Sequence, residues 1–165
     1  MFSVGDKIAH PSHGAGVIDG IERRRVDGVL VEYYSIKLPN GNMLVFVPVN
    51  GCEKLGVRRV IDCKNVDMLL ARLSGADVDV EQYWSKRYKE NLDRLRSGDL
   101  FEVFKVIKTL FLRDCKRCLS SIERRMLTSA KQILVSEIAI VKSLTFKDVE
   151  EMIDQIIMQS ATVAD

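Results

Sequence analysis

The apolar residues of this 165-residue chain change their period near residue 60, and no other feature narrows the choice of fold as much. Before that point they fall in short, β-branched runs: Ala15-Gly-Val-Ile-Asp-Gly-Ile21, Val29-Leu-Val-Glu-Tyr-Tyr-Ser-Ile-Lys-Leu38 and Met43-Leu-Val-Phe-Val-Pro-Val49. Such runs read as strands. Asp27-Gly28 and Pro39-Asn-Gly-Asn42 lie between them, residue types that accept the positive φ of tight turns, so consecutive strands are expected to pair as antiparallel hairpins. A sheet of two or three short strands must curl to bury one face, which predicts a small twisted barrel over residues 1–60, with Pro48 and Gly51 ending its third strand.

After residue 60 the spacing is helical. Val66, Leu69, Leu70 and Leu73 share one stripe ahead of Ser74-Gly75, and a second helix is expected from near Asp79 to Ser97-Gly98. Asp99 is placed to cap a third, whose residues Val103, Val106, Ile107, Leu110 and Phe111 form a face broad enough to be packed on several sides. Ser120-Ser-Ile-Glu123 is a capping box opening a fourth helix, with Leu127, Ala130, Ile133, Leu134, Ile138 and Val141 as its buried stripe; Thr145-Phe-Lys-Asp148 is a weaker start for the last. The reading is an α+β protein: a β-domain over 1–60, then a bundle of four or five helices over 61–165.

With 47% apolar and 29% charged residues the chain is expected to fold rather than stay disordered. No apolar run approaches the 18 or so residues of a membrane span, and Met-Phe-Ser-Val-Gly-Asp lacks the features of a signal peptide, so a cytoplasmic protein without a membrane partner is expected. In that reducing setting Cys52, Cys63, Cys115 and Cys118 are expected as thiols. The net charge of +2 hides an asymmetry: residues 81–131 hold 13 Lys/Arg against 7 Asp/Glu, whereas the remainder holds 12 against 16. A basic block of this kind suits a polyanion, although solvated helix faces give the same balance.

The motifs that would carry bond chemistry are weak. Cys115-Lys-Arg-Cys118 has no second close pair to complete a zinc site, and it falls near the end of a helix, whereas a redox dithiol opens one. His10-Pro-Ser-His13-Gly-Ala-Gly16 offers two ligands at most, amid ordinary turn residues. The glycines at 14, 16, 20 and 28 form no phosphate-binding loop, and histidines only at 10 and 13 leave no defensible Ser/His/Asp arrangement. No enzyme activity, cofactor, metal or small-molecule substrate is expected.

Trp84, the chain's one tryptophan, allows two readings. With Tyr88, Leu92 and Leu95 it lies on one helical stripe, as an aromatic closing the bundle would. Lys86, Arg87 and Lys89 flank that stripe in the first turns, where the helix dipole disfavours cations. Cations tolerated there, beside a large flat ring, suggest phosphates at the sides and a base in the middle.

A set of ordered matches resembles the CarD/CdnL family of bacterial transcription regulators, in its short stand-alone form. They are Phe2-x-Val-Gly-Asp-Lys-Ile, Pro11-x-His-Gly-x-Gly-Val-Ile, Tyr33-Tyr, Val47-Pro-Val, Gly56-Val-Arg, Trp84-Ser-Lys-Arg-Tyr-Lys-Glu-Asn-Leu, Ser97-Gly-Asp, Arg125-Met-Leu and Ala130-Lys-Gln-Ile-Leu-Val-Ser-Glu. The resemblance implies a non-catalytic protein. Its Tudor-like, SH3-like N-terminal domain would extend a sheet of the RNA polymerase β subunit, through Arg24 and the strand Met43, Leu44, Val45, Phe46 and Val47. Its helical domain would contact promoter DNA in the minor groove at the upstream edge of the bubble, with little sequence preference, and steady the open complex. Trp84 matches the wedge, while Lys86, Arg87, Lys89, Arg124 and Arg125 match basic positions near DNA. Phe46 and Tyr83 depart from the family pattern, Phe46 standing where some members carry a second basic docking residue. An adaptor that binds polymerase without touching DNA is the alternative.

Overall fold

The computed structural model describes residues 1–80 and 83–163. Five strands come first: β1 (Lys7–His10), β2 (Gly14–Val26), β3 (Val29–Lys37), β4 (Leu44–Pro48) and, after a 3-10 turn over Cys52–Leu55, β5 (Arg58–Arg59). Five helices follow: α1 (Cys63–Leu73), α2 (Trp84–Arg96), α3 (Leu100–Lys116), α4 (Ser121–Lys142) and α5 (Phe146–Val163).

The β2–β3 and β3–β4 hairpins form as expected. At the first, Asp27 and Gly28 have φ of 49° and 82°, two consecutive left-handed residues that match the twist of the strands they join. β1 and β5 are additions that short mixed runs did not announce. The sheet is antiparallel in the order β4-β3-β2-β1-β5, and it is open, not the closed barrel expected. Closure would need β4 to meet β5, and β5, two residues long, pairs only with β1. One face buries Ile8, Ile18, Tyr34, Ile36, Leu38, Val47, Cys52 and Val57 as a small core. Tyr34 closes it by exchanging hydrogen bonds between its hydroxyl and the backbone N–H and C=O of Phe2, at 3.0 and 3.1 Å.

The helical core is separate and larger. Val103, Phe104, Val106, Ile107 and Leu110 of α3 are fully buried among Ala130, Leu134 and Ile138 of α4, Val149, Ile153 and Ile157 of α5, and Val66 and Leu73 of α1. Burial of this extent on every side of α3, at about 25 cal/mol per Å² of apolar area, makes it the axis of the bundle. The capping box is present in both directions, with the Glu123 N–H donating to Ser120 Oγ and the Ser120 N–H donating back to Glu123 Oε2, each at 3.3 Å. Asp99 caps α3 by accepting the Phe101 N–H at 2.9 Å. The second helix departs from expectation: it begins at Trp84, with no side-chain cap, and Asp79 lies outside it. Gln82, within the stretch expected to be helical, and Glu81, where the basic block starts, lie outside the described residues.

One face of α4 joins the two cores. Ser136 Oγ accepts the buried Ala15 N–H at 2.7 Å, Gln132 Nε2 donates to His13 O at 3.2 Å, and Lys7 Nζ donates to Ile140 O at 3.1 Å. Arg58 grips Glu137 with two bonds of 2.7 and 3.0 Å, and Glu137, 1% exposed, also accepts the Ile61 N–H at 3.0 Å. The contact is close enough to demand glycine at position 14. Its φ is +82°, and a Cβ there would stand 2.3 Å from both Gln132 O and Ser136 Oγ.

Candidate functional site

Trp84 is the first residue of α2 and is 47% exposed, so it does not close the bundle. Its indole lies nearly parallel to the Tyr88 ring one turn on, with centroids 5.4 Å apart and planes inclined by 10°. Tyr88 is itself packed against the helical core, which gives the indole a firm backing on that side. Tyr83, the preceding residue, is 87% exposed.

The cations expected around this ring divide into two groups. Lys86 and Lys89 are exposed, Lys86 within 3.9 Å of the Glu90 carboxylate one turn away, while Lys89 has no ion pair among the described residues. Arg124 and Arg125 are exposed at the start of α4, the Arg124 Nε donating to Leu119 O at 3.4 Å. Arg87 does not belong with them. It is 1% exposed, and its Nε and Nη2 both donate to Glu123 Oε1, at 2.8 and 2.6 Å. A guanidinium turned inward in this way is not available to a phosphate. Its effect is to bring the first turn of α2, which carries Trp84, against the first turn of α4, which carries Arg124 and Arg125.

Glu123 is 5% exposed and receives bonds from Arg87 and Ser120, with the Arg113 Nε 4.0 Å away. Burial pushes its carboxyl up, but the Arg87 hydrogen bonds, the Ser120 N–H and the Arg87 charge outweigh it and hold the group below the usual glutamate range. It stays an anion.

The other expected surface is the outer edge of the sheet. Leu38 N–H donates to Met43 O at 3.0 Å and Val49 N–H to Glu32 O at 2.9 Å, which fixes the phase of the β3–β4 ladder. Val45 and Val47 therefore turn their backbone groups toward β3, and Leu44 and Phe46 turn theirs away, at an edge that no strand among the described residues covers. Val47 has a buried side chain, and Met43 precedes the strand with its side chain exposed, so neither presents backbone and side chain together as expected of a docking strand. Phe46 does not face the sheet core: the Arg24 guanidinium lies over its ring at 3.7 Å, and Arg24 Nη2 is held by Glu22 at 3.0 Å. Arg24, Phe46 and the free edge thus share one surface, although their positions are 22 residues apart in sequence.

The remaining candidates resolve into local structure. His10 Nδ1 accepts the N–H of Ser12 at 3.1 Å and of His13 at 3.3 Å, and burial, then the neighbouring His13 charge, holds its pKa below the usual histidine value. Cys52 is buried in the sheet core, while Cys63, Cys115 and Cys118 are exposed, and all four are free. Among the described residues no three metal-ligating side chains converge, and no helix is long and apolar enough to cross a membrane. Sequence reasoning missed two features of the site: the role of Glu123 beyond its own helix cap, and the exposure of Tyr83 beside the indole.

Comparison with known proteins covers both halves. The model of the CarD-like/TRCF RID domain matches residues 2–61, and that of the CarD C-terminal domain matches residues 68–154. A Bacillus subtilis (strain 168) protein bearing the name "Putative transcription factor YdeB" is 30% identical over 150 residues, which cover 91% of this chain and 98% of that protein.

Proposed function

The chain belongs to the CarD-like family of transcription factors, and from that premise we propose that it acts without catalysis, as a tether between RNA polymerase and melted promoter DNA. The open β4 edge adds a strand to a sheet of the polymerase β subunit, using the outward backbone groups of Leu44 and Phe46, with Arg24 stacked beside them. The far end of the molecule presents Trp84 to the upstream fork of the bubble. There the indole enters a partly unstacked minor-groove step while Lys86, Lys89, Arg124 and Arg125 meet phosphates on either side.

The observation that carries this reading is the half-exposed indole on the first turn of α2, backed by Tyr88, on a helix whose first turns also carry exposed Lys86 and Lys89. An aromatic so supported loses little freedom when a base stacks on it. Stacking contributes roughly 1 to 3 kcal/mol per base. If that gain exists only in the open complex, bubble collapse slows by about one to two decades, because each 1.4 kcal/mol is tenfold. The N-terminus of α2, whose N-cap residue Tyr83 supplies no side-chain cap, points its first N–H groups and the positive end of its dipole toward this end of the helix, which favours a phosphate beside Trp84. Recognition of this kind reads groove shape and step deformability more than base identity.

The test is open-complex lifetime on polymerase and promoter DNA, measured with the wild-type chain and with Trp84→Ala at equal polymerase occupancy. A lifetime reduced about tenfold is expected from the stacking range. Equal lifetimes would reject the wedge, and the adaptor that never touches DNA would then be the better account.

A further inference from the structure

Deepening the wedge reading and resting on it, we propose that Arg87 and Glu123 are the mount of the indole: Arg87 is a positioning residue that fixes where α2 starts, not a phosphate contact. Fully buried positions on α2 are scarce, and both of them are polar: Arg87 and Asn91. Tyr88 and Leu95 are only partly buried against the helical core. Apolar packing alone therefore allows this helix to roll or slide, since burial energy depends on area and has no direction.

The ion pair supplies the direction. Two donors of one planar guanidinium, at 2.8 and 2.6 Å on one carboxylate oxygen, fix angle as well as distance. Its acceptor is itself immobile, because the second Glu123 oxygen is tied to Ser120 at the start of α4. Asn91, one turn beyond Arg87 on the inner face, has neither amide atom hydrogen-bonded within the protein, so the polar tie falls to Arg87. Trp84 precedes Arg87 by one helical turn, and Tyr88, on which the indole rests, follows it directly. Buried ion pairs often add no net stability over an apolar pair of the same size, whereas breaking one leaves a charge stranded. A chain that needed only a stable bundle had apolar options here; a fixed indole needs geometry.

Trp84 is the chain's one tryptophan, so its emission reports the mount in the whole protein without DNA. The variants are Arg87→Lys, which keeps the charge and loses the planar fork, and Glu123→Gln, which keeps the shape and the cap and loses the charge. For both, far-UV circular dichroism should stay near wild type while Trp84 emission moves to longer wavelength and its quenching by acrylamide rises. Open-complex lifetime should fall toward that of Trp84→Ala, about tenfold below wild type if the stacking is lost. The slope of log affinity against log salt for a fork-junction DNA should be unchanged in Arg87→Lys and in Arg87→Met, but shallower by about 1 in Lys89→Gln, the signature of one lost phosphate contact.

The opposite pattern overturns the proposal. If Arg87→Lys keeps wild-type emission and lifetime while Arg87→Met loses about one unit of salt slope, Arg87 meets a phosphate and charge alone suffices. Should Arg87→Met unfold, Arg87→Lys and Glu123→Gln still decide by emission. Wild-type emission in both sinks the mount whatever the lifetimes do. If Trp84→Ala itself leaves the lifetime unchanged, the wedge fails while the emission data still judge the mount.

Discussion

The phase of the β3–β4 ladder makes adjacent residues of one short strand respond in opposite ways to the same substitution. Proline removes one backbone N–H and inserts a ring where that hydrogen pointed. At Leu44, the first residue of β4 and 44% exposed, the N–H points off the sheet, so Leu44→Pro removes nothing from the internal ladder. At Val45 the N–H points to Ile36, and Val45→Pro breaks the ladder and strands a carbonyl in a half-buried setting. If a polymerase strand pairs with this edge, Leu44→Pro costs one intermolecular bond, a net 0.5–1.5 kcal/mol or so, plus about 1–3 kcal/mol for a partner carbonyl left dry. A total of about 1.5–4.5 kcal/mol weakens Kd by roughly tenfold to two-thousandfold. Folded stability should move by roughly 0.5 kcal/mol or less, as for a surface change away from any special feature.

The assay pairs binding to immobilised polymerase with urea unfolding of the free protein. Leu44→Pro should separate the two readouts, with weak binding and near-normal unfolding, while Val45→Pro should lower both. Wild-type affinity in Leu44→Pro would refute edge pairing and move the docking site to side chains such as Arg24 and Phe46. Equal destabilisation of the fold by the two variants would refute the assigned phase of the ladder.

Three further outcomes follow from single contacts. Gly14→Ala places a Cβ 2.3 Å from Gln132 O and Ser136 Oγ at a φ of +82°, and should cost about 2 kcal/mol or more by thermal unfolding, with the loss centred on the sheet–α4 contact. Glu123 has a folded pKa below its unfolded one, so its contribution is complete above the ordinary glutamate value and disappears as pH falls through the lower folded value. Acid titration should show an emission step of Trp84 below the usual glutamate range, and Glu123→Gln should abolish it. Lys86→Gln and Lys89→Gln should each flatten the salt dependence of fork-DNA binding by about 1, without altering thermal stability, as phosphate contacts on exposed side chains require.

Most helices were legible because their signals are local. A capping box, a glycine stop or a run of apolar residues at helical spacing needs no distant partner, and α1, α3, α4 and α5 start or stop where those signals stand. The two hairpins were legible for the same reason. β1 and β5 were not, since Lys7–His10 and Arg58–Arg59 are too short and too polar to alternate visibly, and each gains strand geometry only from its neighbour. The barrel failed on a property of the whole sheet. Whether two edges meet depends on the length of the last strand, and the two residues of β5 pair only with β1 and do not reach β4.

Arg87 was misplaced because hydrophobic periodicity counts only apolar residues. Three cations in four positions read as one outward cluster, yet on a helix Arg87 stands about 100° from each neighbour, and with Asn91 it forms the i, i+4 inner row of α2. The sequence did contain a usable signal: a helix with few large apolar residues must set some polar ones inward, and a glutamate at the third position of a capping box can accept from outside its own helix.

α4 gives that inward turn its consequence. It carries Glu123 near its start and Glu137 fourteen residues later, a span of about 21 Å at 1.5 Å per residue. The first holds the indole's helix, and the second, through Arg58 and beside Ser136, holds the sheet whose far strand offers the free edge. One stiff helix therefore sets the distance between the edge and the ring. Glu137→Gln weakens the sheet's grip while leaving Arg87, Trp84 and β4 in place. It should preserve Trp84 emission and binding to polymerase yet shorten the open complex, because each contact then forms without constraining the other. Unchanged open-complex lifetime in Glu137→Gln would mean that the two surfaces act independently and that the strut has no mechanical part.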